Sequence, residues 1–177
     1  DECPRRDTTL EKIKSLPPVF RKDGKITAAN APNTSDGAAA LVLMSEEKAK
    51  ELGVEPKLEV IAHGQASRDP KYIATVPAYA AETALRKAEL SKDEIDVWEI
   101  NEAFAAVTLI SSKLLGIDLE KVNVNGGAVA LGHPIGATGA RLVVTLMHEM
   151  LRRKSEYGVT TLCAGLGQGD AVVFRLY

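Results

Sequence analysis

A histidine between a glycine and a proline, a cysteine heading an alternating glycine run, and an asparagine followed by a glutamate are the residues here best suited to chemistry. The histidine lies in Gly126-Gly127-Ala128-Val129-Ala130-Leu131-Gly132-His133-Pro134-Ile135-Gly136-Ala137-Thr138-Gly139. Glycines there admit positive φ and close approach, while Pro134 fixes φ and gives up a donor, so the segment reads as a shaped loop offering an imidazole. Ala140, Val143, Val144, Met147, Met150 and Leu151 follow at helical spacing. The loop therefore opens a helix, whose N-terminus favours anions and developing negative charge. Two uses stay open at this point: a generic phosphate loop, or an oxyanion site with His133 as donor. Neither G-x-G-x-x-G nor G-x-x-x-x-G-K-[ST] occurs in the segment, which weakens the dinucleotide and nucleoside triphosphate readings.

The cysteine heads Cys163-Ala164-Gly165-Leu166-Gly167-Gln168-Gly169-Asp170, between two stretches rich in β-branched and aromatic residues. It is expected where one strand ends and a turn begins, and the glycines beyond it expose backbone N–H groups that can hold an oxyanion. A single cysteine without that turn would read as a small buried hydrophobe. In Trp98-Glu99-Ile100-Asn101-Glu102-Ala103-Phe104, Ile95, Val97 and Ile100 suit a buried strand. Asn101 then suits the N-cap of a helix carrying Phe104, Val107 and Leu114, with Glu102 as a first-turn acid.

Taken together, Asn101-Glu102-Ala103-Phe104, Asn123-Val124-Asn125-Gly126-Gly127-Ala128, Gly132-His133-Pro134-Ile135-Gly136-Ala137 and Cys163-x-Gly165-x-Gly167-x-Gly169 closely resemble, in order and spacing, the signatures of the thiolases. Asp1-Glu2-x-Pro4-Arg5, Lys22-Asp23-Gly24-x-Ile26-Thr27-Ala28 and Asp36-Gly37-Ala38-Ala39-Ala40 resemble thiolase segments too, so the likeness spans the chain. It implies acyl-CoA C-acyltransfer, the reversible Claisen condensation of acyl-CoA molecules, with a coenzyme A thioester as substrate and no covalently bound cofactor. The family uses two cysteines. Nothing here resembles the motif of the acylated one, and Cys3 falls in a segment similar to the middle of the family, so the chain is expected to be a C-terminal half.

The resemblance implies that Cys163 is the acid/base at the substrate α-carbon. His133 donates to the thioester oxygen as the enolate develops, Asn101 holds a water in the same oxyanion hole, and the Gly165 N–H helps form a second hole. A thiol near pH 8.5 can be lowered by neighbouring donors, and so can serve in either protonation state near neutral pH. All four groups are expected to converge on one pocket. Phe20, Ala28, Ile73, Ala103 and Phe104 fall where family members line the pantetheine and acyl channel, although such residues are also ordinary packing. Pro32 stands where many members carry a serine that bonds pantetheine, and Leu166 replaces the middle glycine of the turn. Two alternatives are a β-ketoacyl synthase relative, which would usually offer a second histidine at Cys163, and a noncatalytic thiolase-like partner subunit or interaction module.

Positioning these groups requires alternating elements. The chain reads as α/β, with residues 1–33 irregular, a buried strand at 38–44, and a helix capped by Ser45 that ends near Gly53. From Lys57 the order is β-α-β-α-β-α-β-β, with strands near 58–66, 95–100, 121–125, 158–164 and 170–176 and helices near 77–89, 102–115 and 138–153. That predicts a mixed five-stranded sheet ending in a hairpin. By resemblance, 1–33 ends the loop domain, 34–55 completes an absent N-terminal domain, and 56–177 is the C-terminal domain. Its N-terminal half is therefore expected as a separate, cleaved or missing chain, and the complete enzyme as a homo-oligomer, dimer or tetramer.

Length and composition fit this reading. The 177 residues are 45% hydrophobic, enough for one ordinary core. Net charge is −2, from 22 basic and 24 acidic residues, which gives no general attraction to nucleic acid or an anionic membrane. Cys3 and Cys163 suit a reducing, cytoplasmic setting, and no metal-ligand spacing is evident. His63 and His148 are assigned to a strand end and a helix face without function, and Arg152-Arg153-Lys154 to a solvated helix end.

Overall fold

In the computed structural model, which describes residues 4–177, the strands are β1 Leu58–Ser67, β2 Val97–Ile100, β3 Tyr157–Ala164 and β4 Gln168–Leu176. The expectations for Asp1 and Cys3 lie outside the described residues. The spatial order is β1-β4-β3-β2, with β1/β4 and β3/β4 antiparallel and β2/β3 parallel. The sheet is mixed and ends in a hairpin, as expected, but it has four strands among the described residues rather than five.

Residues 121–125 are the missing strand. Val122 makes only an isolated bridge to Trp98, after which Asn123 turns into the left-handed region at φ 47°. Its side-chain oxygen accepts from the Ile100 N–H at 2.8 Å, and its side-chain nitrogen donates to the Ile100 carbonyl at 2.8 Å. One side chain thus replaces a ladder step on the edge of β2 and ends the pairing. The expected strand at 38–44 is also absent: Val42 and Leu43 are 86% and 75% exposed. An apolar run is buried only where a partner exists, and the described residues offer this one no strand.

Residues 4–33 are less irregular than expected. The short helix α1, Leu10–Ser15, starts where Thr9 accepts from the Lys12 N–H and stops ahead of Pro17-Pro18. Helix α2, Glu46–Leu52, carries the expected Ser45 cap and a left-handed Gly53 at its end.

Two helical layers cover the sheet. Helix α3, Val76–Ala88, buries Ala78, Ala80, Ala81 and Ala84 beside Trp98, Ile100, Val159 and Val173. Its backbone lies so close that a Cβ at Gly64 would collide with Ala80 and Ala84, so small residues on both sides set this spacing. Helix α4, Ala105–Leu115, packs beside α3, and α5, Ala128–Leu131, is one turn in the reactive loop. Helix α6, Thr138–Arg153, covers the other face with Leu142, Leu146 and Met150, against Val97 and Phe174. That stripe differs from the expected one by a rotation of the helix, which leaves Leu151 exposed. Arg152 and Arg153 are not merely a solvated end: with Asn125 they bond Glu149, whose carboxyl they hold below the usual range.

Candidate active site

Because β2 and β3 run parallel, both end on one side of the sheet, the side where ligands approach in open α/β sheets. Asn101 follows β2 directly, and its N–H donates to the Thr161 carbonyl of β3 at 2.9 Å. That places Asn101 beside the strand that reaches Cys163 two residues later. Asn101 is fully buried, and its side-chain nitrogen lies 3.4 Å from Nε2 of His133. It is therefore not a helix cap: α4 begins three residues after the expected point, behind Phe104, because the amide is spent on the imidazole.

His133 is held at both ring nitrogens. Nδ1 lies 2.7 Å from the Thr138 hydroxyl, which donates its proton to the Pro134 carbonyl at 2.9 Å. The hydroxyl has one proton to give, so Nδ1–H must donate to Thr138, and the neutral ring presents an Nε2 lone pair toward Asn101. Burial, with the Arg141 charge in second place, lowers the His133 pKa from its ordinary value. The imidazole is accordingly neutral near pH 7, able to accept a proton before it donates one. The backbone is tied down as well, the His133 N–H donating to the Asn33 carbonyl at 3.1 Å.

The loop behind His133 is braced by Glu102. Its carboxylate accepts from the Val129 N–H at 2.8 Å, at the start of α5, and from the Asn123 side chain at 3.2 Å. A Cβ at Gly127 would occupy the space of that carboxylate, which explains the glycine. Glu102 thus serves another helix than the one expected. Gly132, at φ 99°, gives the loop its last bend, and a Cβ there would collide with Ser35. Thr138 and this use of Glu102 were missed from sequence; the available signals were a threonine at the predicted helix start and a glycine two residues before Val129.

Cys163 sits in β3 opposite Gly169 of β4, with a free, half-buried thiol. Burial pushes its pKa up, and only a backbone hydrogen bond pulls the other way. Gly165 begins the turn to β4, in which Leu166 and Gly167 take φ 65° and 75°. The Arg68 N–H donates to the Gly167 carbonyl at 2.9 Å and pins the turn, while the space about Gly165 is open.

Of the expected channel residues, Phe20 and Phe104 meet edge to face with ring centroids 6.1 Å apart. The Ala105 N–H bonds the Asn30 carbonyl at 2.9 Å and ties the segment containing exposed Ala28 to Ala103 and Phe104. Half-buried Ile73 lies in a 3₁₀ turn, Pro70–Thr75, packed on α4. A depression of about 380 Å³ lies between Ser35–Ala39 and Pro134–Ala137, and one of about 330 Å³ is lined by Phe20, Arg21 and residues 23–26; Cys163 and Asn101 line neither. What the described residues assemble is an imidazole of fixed tautomer, a buried amide, a protonated thiol and an accessible glycine turn.

Comparison with known proteins shows that residues 54–176 match the family model described as "Thiolase, C-terminal domain" and residues 1–47 the one described as "Thiolase, N-terminal domain". An acetyl-CoA acetyltransferase of Pseudomonas aeruginosa is 51% identical over 172 residues, covering 97% of this chain and 44% of the relative. The crystal structure of the Bacillus anthracis acetyl-CoA acetyltransferase superposes on all of the chain with a TM-score of 0.97 at 51% identity. Human mitochondrial 3-ketoacyl-CoA thiolase in complex with CoA does so with 0.92 at 39% identity. Both structures extend well beyond the match, the chain covering 45% of each.

Proposed function

Since the chain belongs to the thiolase family, we propose that it supplies the acid/base half of an acyl-CoA C-acyltransferase site. The observation that carries this reading is the linked set Thr138–His133–Asn101 at the strand ends beside Cys163. The relatives named above are acetyl-CoA acetyltransferases and a 3-ketoacyl-CoA thiolase, one of them holding CoA, which supports a coenzyme A thioester as substrate. The chain spans less than half the length of these relatives, and the resemblance to thiolases implies an acylated cysteine in the N-terminal half. Residues 1–33 end the loop domain, 34–55 complete the N-terminal domain and 56–177 form the C-terminal one, with the complete enzyme a homo-oligomer.

In this reading the Nε2 lone pair of His133 takes the proton of the nucleophilic cysteine as that sulfur attacks an acyl-CoA. Acyl transfer expels the CoA sulfur, which takes the proton of the Cys163 thiol and departs as free CoA, leaving a thioester on the enzyme and Cys163 as thiolate. Cys163, as thiolate, then removes a proton from the α-carbon of a second acyl-CoA. The Nε2–H of His133 and a water on Asn101 stabilise the enolate oxygen. The enolate carbon attacks the enzyme thioester, the Gly165 N–H stabilises the resulting oxyanion, and the carbon–sulfur bond breaks to give 3-ketoacyl-CoA and the free cysteine. Removing one such donor typically costs about 3 kcal/mol of transition-state stabilisation. The raised Cys163 pKa favours the thiol, the form that protonates the departing carbon in cleavage. Loss of that proton to departing CoA leaves the thiolate that acts as base in condensation.

In the enzyme completed with its N-terminal half, Cys163→Ser should accept an acyl group from labelled acetyl-CoA but lose at least ~10²-fold in condensation, because a hydroxyl is far too weak an acid for this exchange. His133→Ala should slow both half-reactions. Rapid quench separates the steps, and Cys163→Ser condensing at the parent rate would overturn the acid/base assignment.

A further inference from the structure

Strand β2 is buried throughout and alternates regularly: Trp98 and Ile100 face α3, and Val97 faces α6. Period-two alternation places Glu99 on the α6 face with Val97, a position suited to an apolar side chain. Glu99 is 0% exposed, and Arg141 of α6 approaches its carboxylate only to 3.9 Å. Among the described residues neither Glu99 oxygen and neither terminal nitrogen of Arg141 has a hydrogen-bond partner. A carboxyl and a guanidinium this deep without hydrogen bonds lose more in desolvation than their attraction returns, so fold stability does not account for them.

Their placement does. Glu99 is two residues before Asn101, which faces Nε2 of His133, and Arg141 is three residues after Thr138, which holds Nδ1. We propose that Glu99 and Arg141 are positioning residues, bracing the strand end that carries Asn101 against the helix start that carries Thr138 and so fixing the His133 ring from both sides. The inference rests on the acyl-transfer reading only for the meaning of His133, since the geometry is independent of it. Charges around the pair agree with such a role. Burial pushes the Glu99 carboxyl up to about 8 against the pull of Arg141, with Glu102 and Glu149 adding to the rise. At neutral pH the pair thus presents a net cation, which helps keep His133 uncharged.

The test uses the complete protein, this chain with its N-terminal half, and three variants whose folding is checked by thermal unfolding. Arg141→Gln removes the cation, so the His133 pKa rises and the acid limb of kcat/KM for acetoacetyl-CoA thiolysis moves up by about one pH unit. Arg141→Lys keeps the charge and should leave the limb near the parent position. Glu99→Leu, which leaves the buried Arg141 cation without its partner, should lower the thermal midpoint and lose roughly tenfold in kcat with KM little changed, a split that loss of packing would not produce. The His133 ring is also titrated by NMR, its signal assigned by its loss in His133→Asn. Equal His133 titration in Arg141→Gln and Arg141→Lys, or parental kcat in Glu99→Leu, would overturn the proposal. If the parent fails to turn over acetoacetyl-CoA, the acyl-transfer reading falls, and the NMR titration still decides this one.

Discussion

Leu166 holds φ 65°, a region costly for a side chain with a Cβ, and is 80% exposed, so little packing offsets the strain. Leu166→Gly removes about 1–2 kcal/mol of backbone strain and adds somewhat less unfolded-state entropy. We expect a net gain of ~0.5–1 kcal/mol, read as a higher urea midpoint at unchanged slope. A lower midpoint would mean that the leucine packs against something in the complete protein. The same scale separates what the sequence disclosed from what it hid. His133, Cys163 and the glycine turn were legible because their flanking residues restrict the backbone in recognisable ways. Thr138, Glu102, Glu99 and Arg141 were not, since each acts on a residue far away in sequence or on another element. Glu99 did leave a trace: a carboxylate in a strand otherwise reading as buried.

Among the elements, most of the sheet was legible from β-branched runs, and its errors have local causes. The supposed fifth strand fails because Asn123 bonds both backbone groups of Ile100 with its side chain. Helix α4 starts late because Asn101 and Glu102 are drawn toward His133 and α5 instead of capping it. Asn123 therefore carries a disproportionate share of the β2 edge, bonding Glu102 as well. Asn123→Ala loses these bonds and strains a positive φ, for a cost of about 2–4 kcal/mol. Asn123→Gly loses the bonds but keeps the backbone, and should be less harmful by ~1 kcal/mol. Both should speed amide exchange at Ile100. Equal destabilisation by alanine and glycine would show that φ 47° carries no strain here.

For the molecule as a whole, the layered class was legible from the alternation of elements, but the surfaces the chain leaves uncovered were not, because burial depends on partners outside the segment. Val42 and Leu43 are exposed despite an apolar, strand-like sequence, Phe20 is 71% exposed, and the turn at Gly165 faces open space. Monomeric proteins rarely leave apolar runs of this kind bare, because unpaired strand-forming segments invite association. On the proposed reading, the N-terminal half of a thiolase would account for all three surfaces at once, as a strand partner for 38–44, a wall for the acyl channel and a cysteine opposite Cys163. A noncatalytic subunit would account for the first alone. Pure chain should therefore show no thiolysis of acetoacetyl-CoA, whereas the chain mixed or joined with that half should show it. Amide exchange across residues 38–44 should slow on the same addition. Protection of 38–44 without activity would favour the noncatalytic subunit, and activity of the pure chain would place the acyl group on Cys163 itself.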